Sequence, residues 1–254
     1  DDLSEDNRRR VLRRLEAEVS ALGADGTLAA HSQDLIVQRG STVASIAMIL
    51  GSVISLAGTI LLGLRLRYWL RMPTTTLVTI ALFGTLSFVV NAAMQLVGMG
   101  VASVLGPFAF ILTGLFDDTI RAILLITLLM LRPKAGVCGM PILIGWLLRA
   151  VTTGAASPAD ILYLTGHVFL LEASLWLFGL TRGKPLSIPR LSCAFATSFS
   201  ASIATALAFN VVLYRLFYAE WYVMLNIGLS GVVYPVLATF LAIPVARSLR
   251  MVED

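Results

Sequence analysis

The chain has 254 residues, of which 57% are hydrophobic and 13% charged, and its mean hydropathy is +0.86. Soluble domains carry about a quarter charged residues, so a soluble globular domain is excluded and an all-α integral membrane protein is expected. The formal charge of +4 does not mark a nucleic-acid binder, because ten of the nineteen Lys and Arg residues sit in short connections between apolar stretches.

Residues 1–40 form a charged tail. Ser4 is placed to cap a helix with an acidic first turn, and Val11, Leu12, Leu15, Val19 and Leu22 recur at helical spacing before Gly23 and Gly26. Two readings of this amphipathic helix stand: a membrane-surface or partner-docking element, or a solvated helix packed on its own protein. The first residue is Asp1 rather than Met, consistent with an upstream segment or a processed signal.

Seven apolar stretches follow, at about 42–64, 74–99, 106–131, 136–153, 160–180, 191–217 and 223–247. Each meets or approaches the roughly 20 residues that a hydrocarbon core about 30 Å thick requires. The expected organisation is one extra transmembrane helix with a basic turn over 41–72 and a six-helix membrane core over 73–254. The fourth stretch is short and contains Pro141 and Gly145, so it is expected to be broken or tilted.

The connections alternate in charge. One set carries Arg65, Arg67 and Arg71, then Arg132 and Lys134, then Arg182, Lys184 and Arg190, then Arg247 and Arg250; the connections around 98–106, 154–159 and 218–222 carry no Lys or Arg. Basic residues resist translocation, so the first set is predicted to be cytoplasmic, with the C-terminus inside, the protein multi-pass in the cell (inner) membrane, and the tail external. Cys138 and Cys193 fall near the cytoplasmic ends, where a disulfide is not expected, and read as small packing residues.

Polar residues that interrupt the spans are the candidates for function, because a charge at the bilayer centre costs about 3 kcal/mol on insertion scales. Asn91 and Gln95, Tyr163 and His167, and Asn210 and Tyr214 are pairs one helical turn apart; Arg149 ends the fourth stretch and Asn226 opens the last. Spacing of four places each pair on one face, so these residues either line a common external binding pocket or bond neighbouring helices one by one. A deeper set comprises Asp117, Asp118 and Arg121 with Glu172. Arg121 is expected to neutralise one of the two aspartates within its own helix. The remaining acid and Glu172 have several possible roles: holding a cationic ligand group, relaying protons, pairing with a partner subunit, or forming a buried structural ion pair.

The chain has no paired-histidine metal motif, no P-loop and no GxSxG, and its two histidines, His31 and His167, are far apart. No catalytic residue, metal or cofactor is expected. Small residues at Ala81 and Thr85, and at Ser200, Ala204 and Ala208, mark faces where helices can approach closely.

From Thr74 onward, over about 175 of the 254 residues, the chain resembles the membrane-embedded substrate-binding (S) component of energy-coupling factor (ECF) transporters, in particular the thiamine or hydroxymethylpyrimidine branch. The passages that carry the resemblance are Thr79-Ile80-Ala81-Leu82-Phe83-Gly84, Leu105-Gly106-Pro107-Phe108, Leu131-Arg132-Pro133-Lys134-Ala135-Gly136, and Glu172 followed by Leu175-Trp176-Leu177-Phe178. The resemblance implies a six-helix subunit that captures a vitamin-like molecule externally and works with a transmembrane scaffold subunit and cytoplasmic ATPases. It implies scaffold docking at Ala81 and Thr85, with Thr where a second Ala is usual. It implies a ligand pocket at Arg149, Tyr163, His167, Asn210, Tyr214 and Asn226, and Glu172 as the acid that reads a protonated pyrimidine or amine. The added first helix, the charged tail and the Asp117-Asp118-Arg121 group depart from the family pattern. The alternative expectation is a structural or assembly subunit of a larger membrane complex without a small-molecule substrate; a gradient-driven carrier is a third.

Overall fold

The structure, a computed structural model, describes residues 12–13, 42–69, 71–154, 158–213 and 218–253. The chain divides into two compact units, residues 1–39 and 40–254. In the first, Leu12 and Arg13 are helical; the rest of the expected tail helix, from Ser4 to Gly23 and Gly26, and His31 beyond it lie outside the described residues.

The second unit is built from seven helices, with no strand among the described residues. They are α1 (Thr42–Trp69), α2 (Thr74–Leu105), α3 (Ala109–Leu131), α4 (Gly139–Thr153), α5 (Pro158–Leu177), α6 (Ile188–Leu213) and α7. α7 runs as Glu220–Asn226, widens into a π turn over Ile227–Val233 and continues as Tyr234–Glu253. Each helix falls on one apolar stretch, and Pro and Gly mark several of the boundaries. Pro73 precedes α2 and Pro158 opens α5, while Gly154 ends α4 in the left-handed region (φ 64°) with its N–H on Ala150 O.

Among the described residues three helical runs are long and apolar enough to cross a membrane: Thr74–Leu105, Ile188–Val211 and Glu220–Met251; Ile49–Arg65 and Gly139–Thr153 are shorter apolar helices. α3 carries three charges in its middle turns, and α4, at 15 residues, reaches only roughly 22 Å at ~1.5 Å per residue. α4 is short rather than broken. Pro141 sits in its first turn, where a missing N–H costs no helical bond, and Gly145 lets the α2 backbone pass, with Gly84 O 3.6 Å from where a side chain would begin.

The dry core lies toward the end of the bundle that carries the basic connections. Leu125, Ile126 and Leu129 of α3 pack with Leu171 and Leu175 of α5, Phe195 and Phe199 of α6, and Ala238 and Ala242 of α7. A second cluster joins Trp69, Ile80, Phe83, Leu128 and Val168. Gly136 allows the Trp69 ring to lie against the backbone: it has φ +89°, and a Cβ there would stand 2.5 Å from the indole. At the same end, Arg250 of α7 donates to the Met130 carbonyl of α3.

α1 is bound into the bundle by small residues. Gly51 faces Thr205, Ser55 faces Gly166, Gly58 faces Phe169, and the Thr59 and Thr165 hydroxyls are 2.8 Å apart. Gly231 of the π turn sits against Ser200 of α6 in the same way. The π turn immediately precedes Pro235, which has no N–H to offer a regular helical ladder, and Tyr234 N–H instead reaches back to Leu229 O. Of the two cysteines, Cys138 is buried as expected, whereas Cys193 is exposed on α6; both are free.

Candidate functional site

The middle of α3 is a hub of charges held by three neighbouring helices. Asn91 Nδ2 of α2 lies 3.5 and 3.4 Å from the two Asp117 oxygens, and Gln95 Nε2 donates to Asn91 Oδ1 at 3.1 Å. The Ser230 hydroxyl, in the π turn of α7, hydrogen-bonds the Asp118 carboxylate. Arg121 Nη2 lies 3.2 Å from His167 Nε2 of α5. Arg121 thus has two roles: its charge acts on Asp118 within its own helix, while its hydrogen bond goes across to α5. A carboxylate has several acceptor sites and a guanidinium several donors, so the charges of α3 also engage an amide, a hydroxyl and an imidazole nitrogen of three other helices.

The chemistry of Arg fixes the imidazole. A guanidinium only donates, so His167 Nε2 accepts and the ring proton belongs on Nδ1. That Nδ1 is buried with no hydrogen-bond partner among the described residues. Tyr163 stacks on the ring from one turn earlier, with centroids 6.4 Å apart, and Phe199 meets it edge-on at 6.0 Å.

Two chambers open on either side of the Asn91–Asp117 contact, and both residues line both chambers. The first, about 260 Å³, lies among α2, α3, α4 and α5. Its ionic groups are Asp117, Arg121, Arg149 and Asp160, and its aromatic walls are Phe88, Trp146 and Tyr163. The second, about 550 Å³, lies among α2, α3, α6 and α7; it is lined by Asp117, Asp118, Gln95, Asn226 and Ser230 among apolar side chains, and no Lys or Arg among the described residues lines it. The described residues contain no group of three His, Cys, Asp or Glu placed to hold a metal ion.

The residues singled out from the sequence thus separate. Asn91, Arg149 and Tyr163 line the first chamber, and Asn91, Gln95 and Asn226 the second. His167 stands behind the wall and positions Arg121. Asn210 donates to Tyr218 Oη at 3.2 Å and lines neither chamber, and Tyr214 lies outside the described residues. Ala81 and Thr85 are exposed on α2, with Thr85 Oγ1 donating to Ala81 O at 2.9 Å.

Glu172 is occupied elsewhere. Its two oxygens accept the Gly136 and Gly139 backbone N–H groups, each at 2.8 Å, with the Cys138 amide as a further partner. These are unpaired amides at the start of α4, where a helix end carries partial positive charge, so the carboxylate closes that helix instead of facing either chamber. Phe88, Trp146, Asp160 and Ser230 were not foreseen. Each lies one helical turn from a residue that was: Phe88 from Asn91, Trp146 from Arg149, Asp160 from Tyr163 and Ser230 from Asn226. The signal was present, because residues three or four apart share a face.

Comparisons with protein-family models, with curated proteins and with solved structures give no match.

Proposed function

We propose that this chain is a non-enzymatic, membrane-embedded substrate-binding subunit that takes a small polar molecule into the outer chambers around α3. The observation that carries this reading is the first chamber: a cavity between four helices, level with the charged middle turns of α3, with ionic groups of both signs and three aromatic walls. Charged side chains at that depth are expensive, and an arrangement that leaves Arg121 and Asp117 facing a cavity is better explained by a ligand than by packing. The resemblance to ECF S components supports uptake of a vitamin or vitamin precursor, with a transmembrane scaffold subunit and cytoplasmic ATPases as partners. In this reading all seven helices cross the cell membrane, the basic connections are cytoplasmic, and the chambers open outward.

A second reading, a structural or assembly subunit, rests on α2. Its Val78, Leu82, Leu86 and Val89 are exposed beside Ala81 and Thr85, a face suited to lipid or to another membrane helix. Native mass spectrometry of the protein extracted from its own membrane separates the two. A bound water-soluble molecule, lost in Asp117→Asn and Arg149→Gln while the fold survives, is expected for the binding subunit. Other membrane proteins with no small molecule would leave the assembly reading in place.

A further inference from the structure

The two chambers differ in charge balance: the first is lined by two carboxylates and two guanidinium groups, the second by carboxylates with no Lys or Arg among the described residues. Arg121 and Arg149 line only the first chamber; the second has carboxylates, amides and a hydroxyl, with Asp118 held toward it by Ser230. The partition between them is the Asn91–Asp117 contact, whose 3.4 and 3.5 Å separations are at the outer limit of a hydrogen bond. It is longer than the Gln95–Asn91 and Arg121–His167 contacts, and a ligand donor that approaches Asp117 displaces it at little cost. Asn91 is also held from behind by Gln95, so its amide has a position to retreat to on α2.

Resting on the binding-subunit reading, we infer that the ligand is amphoteric: a protonated nitrogen enters the carboxylate-lined chamber beside Asp117 and Asp118, and an acidic group, carboxylate or phosphate, lies in the first chamber against Arg121 and Arg149. Interactions between charges strengthen as water is excluded, and an unmatched charge in such a site is penalised. A simple cation engages the aspartates of the second chamber but adds nothing at Arg121 and Arg149 beyond the carboxylates of Asp117 and Asp160 that line the same wall; a simple anion engages the guanidinium groups and is repelled by the carboxylates of the second chamber. Only a molecule with both groups uses both walls, and its charge direction fixes which end enters which chamber. Trp146 and Tyr163 flank the guanidinium chamber, so the acidic end is carried on, or next to, a planar or apolar portion.

The test starts from the molecule the protein itself retains. Protein purified from its own membrane is denatured, and the released water-soluble fraction is identified by mass and by retention on cation and anion exchangers. A compound with one basic and one acidic group is expected, and its retention is expected to fall about tenfold or more in Asp118→Asn and in Arg149→Gln, the effect of losing one charge partner. Arg182→Gln, at a site stacked on Trp176 at the other end of the bundle, serves as a control and is expected to retain the compound fully. A released compound with charge of one sign only, or none, overturns the amphoteric assignment and leaves the binding-subunit reading intact. Release of no water-soluble molecule overturns both. The identity of the compound is read on the unsubstituted protein, so the outcome does not depend on whether a variant folds.

Discussion

Glu172 shows how an acid on an apolar helix is explained once its partners are known. Both of its oxygens are engaged by backbone amides at the start of α4, and charge-assisted bonds of this kind are the strong ones. Glu172→Gln replaces an acceptor oxygen with an amide that faces N–H donors. The expected loss is about 2–4 kcal/mol, read as a lower melting temperature in detergent with ligand retention unchanged in the folded fraction. Unchanged melting together with lost retention would return Glu172 to the ligand. His167 is a positioning residue by the same logic: it fixes Arg121 Nη2 at 3.2 Å, leaving the rest of the guanidinium on the wall of the first chamber.

At the scale of elements, α1 belongs to the bundle. Gly51, Ser55, Gly58 and Thr59 recur at three- and four-residue intervals on the side that meets α5 and α6, and Gly166 completes the contact from the other helix. The close approach has a direct test. In a background with Cys138→Ala and Cys193→Ser, the pair Thr59→Cys and Thr165→Cys is expected to cross-link on mild oxidation, because hydroxyls 2.8 Å apart place the Cβ atoms within reach of a disulfide. Adding Gly58→Phe forces a ring into Phe169 and is expected to abolish the cross-link. A cross-link that persists in that triple variant would mean that α1 does not pack through Gly58. α4 and α7 teach a related point: Pro141 lies in a first turn and Pro235 follows a π turn, positions where the missing N–H removes no regular helical bond, whereas Pro244 lies inside the last stretch of α7.

For the whole molecule, the tested property is orientation. The dry core occupies the end with the basic connections and the chambers the opposite half, so a cytoplasmic basic end implies chambers open to the outside. In intact cells expressing the cysteine-free protein, an impermeant maleimide is expected to label Ala219→Cys, which is exposed just before α7, and not Lys184→Cys between α5 and α6. Labelling in the reverse pattern would invert the protein and put the chambers on the cytoplasmic side.

The sequence by itself determined the all-helical class, the number and approximate limits of the helices, and the segregation of basic connections. Run length, Gly and Pro punctuation, and Lys and Arg placement are properties of the chain in one dimension and need no tertiary information. It also placed the polar residues of α2 through α5 at a shared depth. What only the tertiary structure decided was the partner of each one. Spacing puts Arg121 beside Asp117 and Asp118 on one helix, but only the rotation of each helix about its axis decides that Arg121 also reaches His167, that Asp118 meets Ser230 and that Glu172 meets the amides of α4. That rotation is set by close contacts between residues far apart in the chain, such as Gly84 on Ile144, Gly166 on Ser55 and Gly231 on Ser200, and no periodicity within one helix contains it.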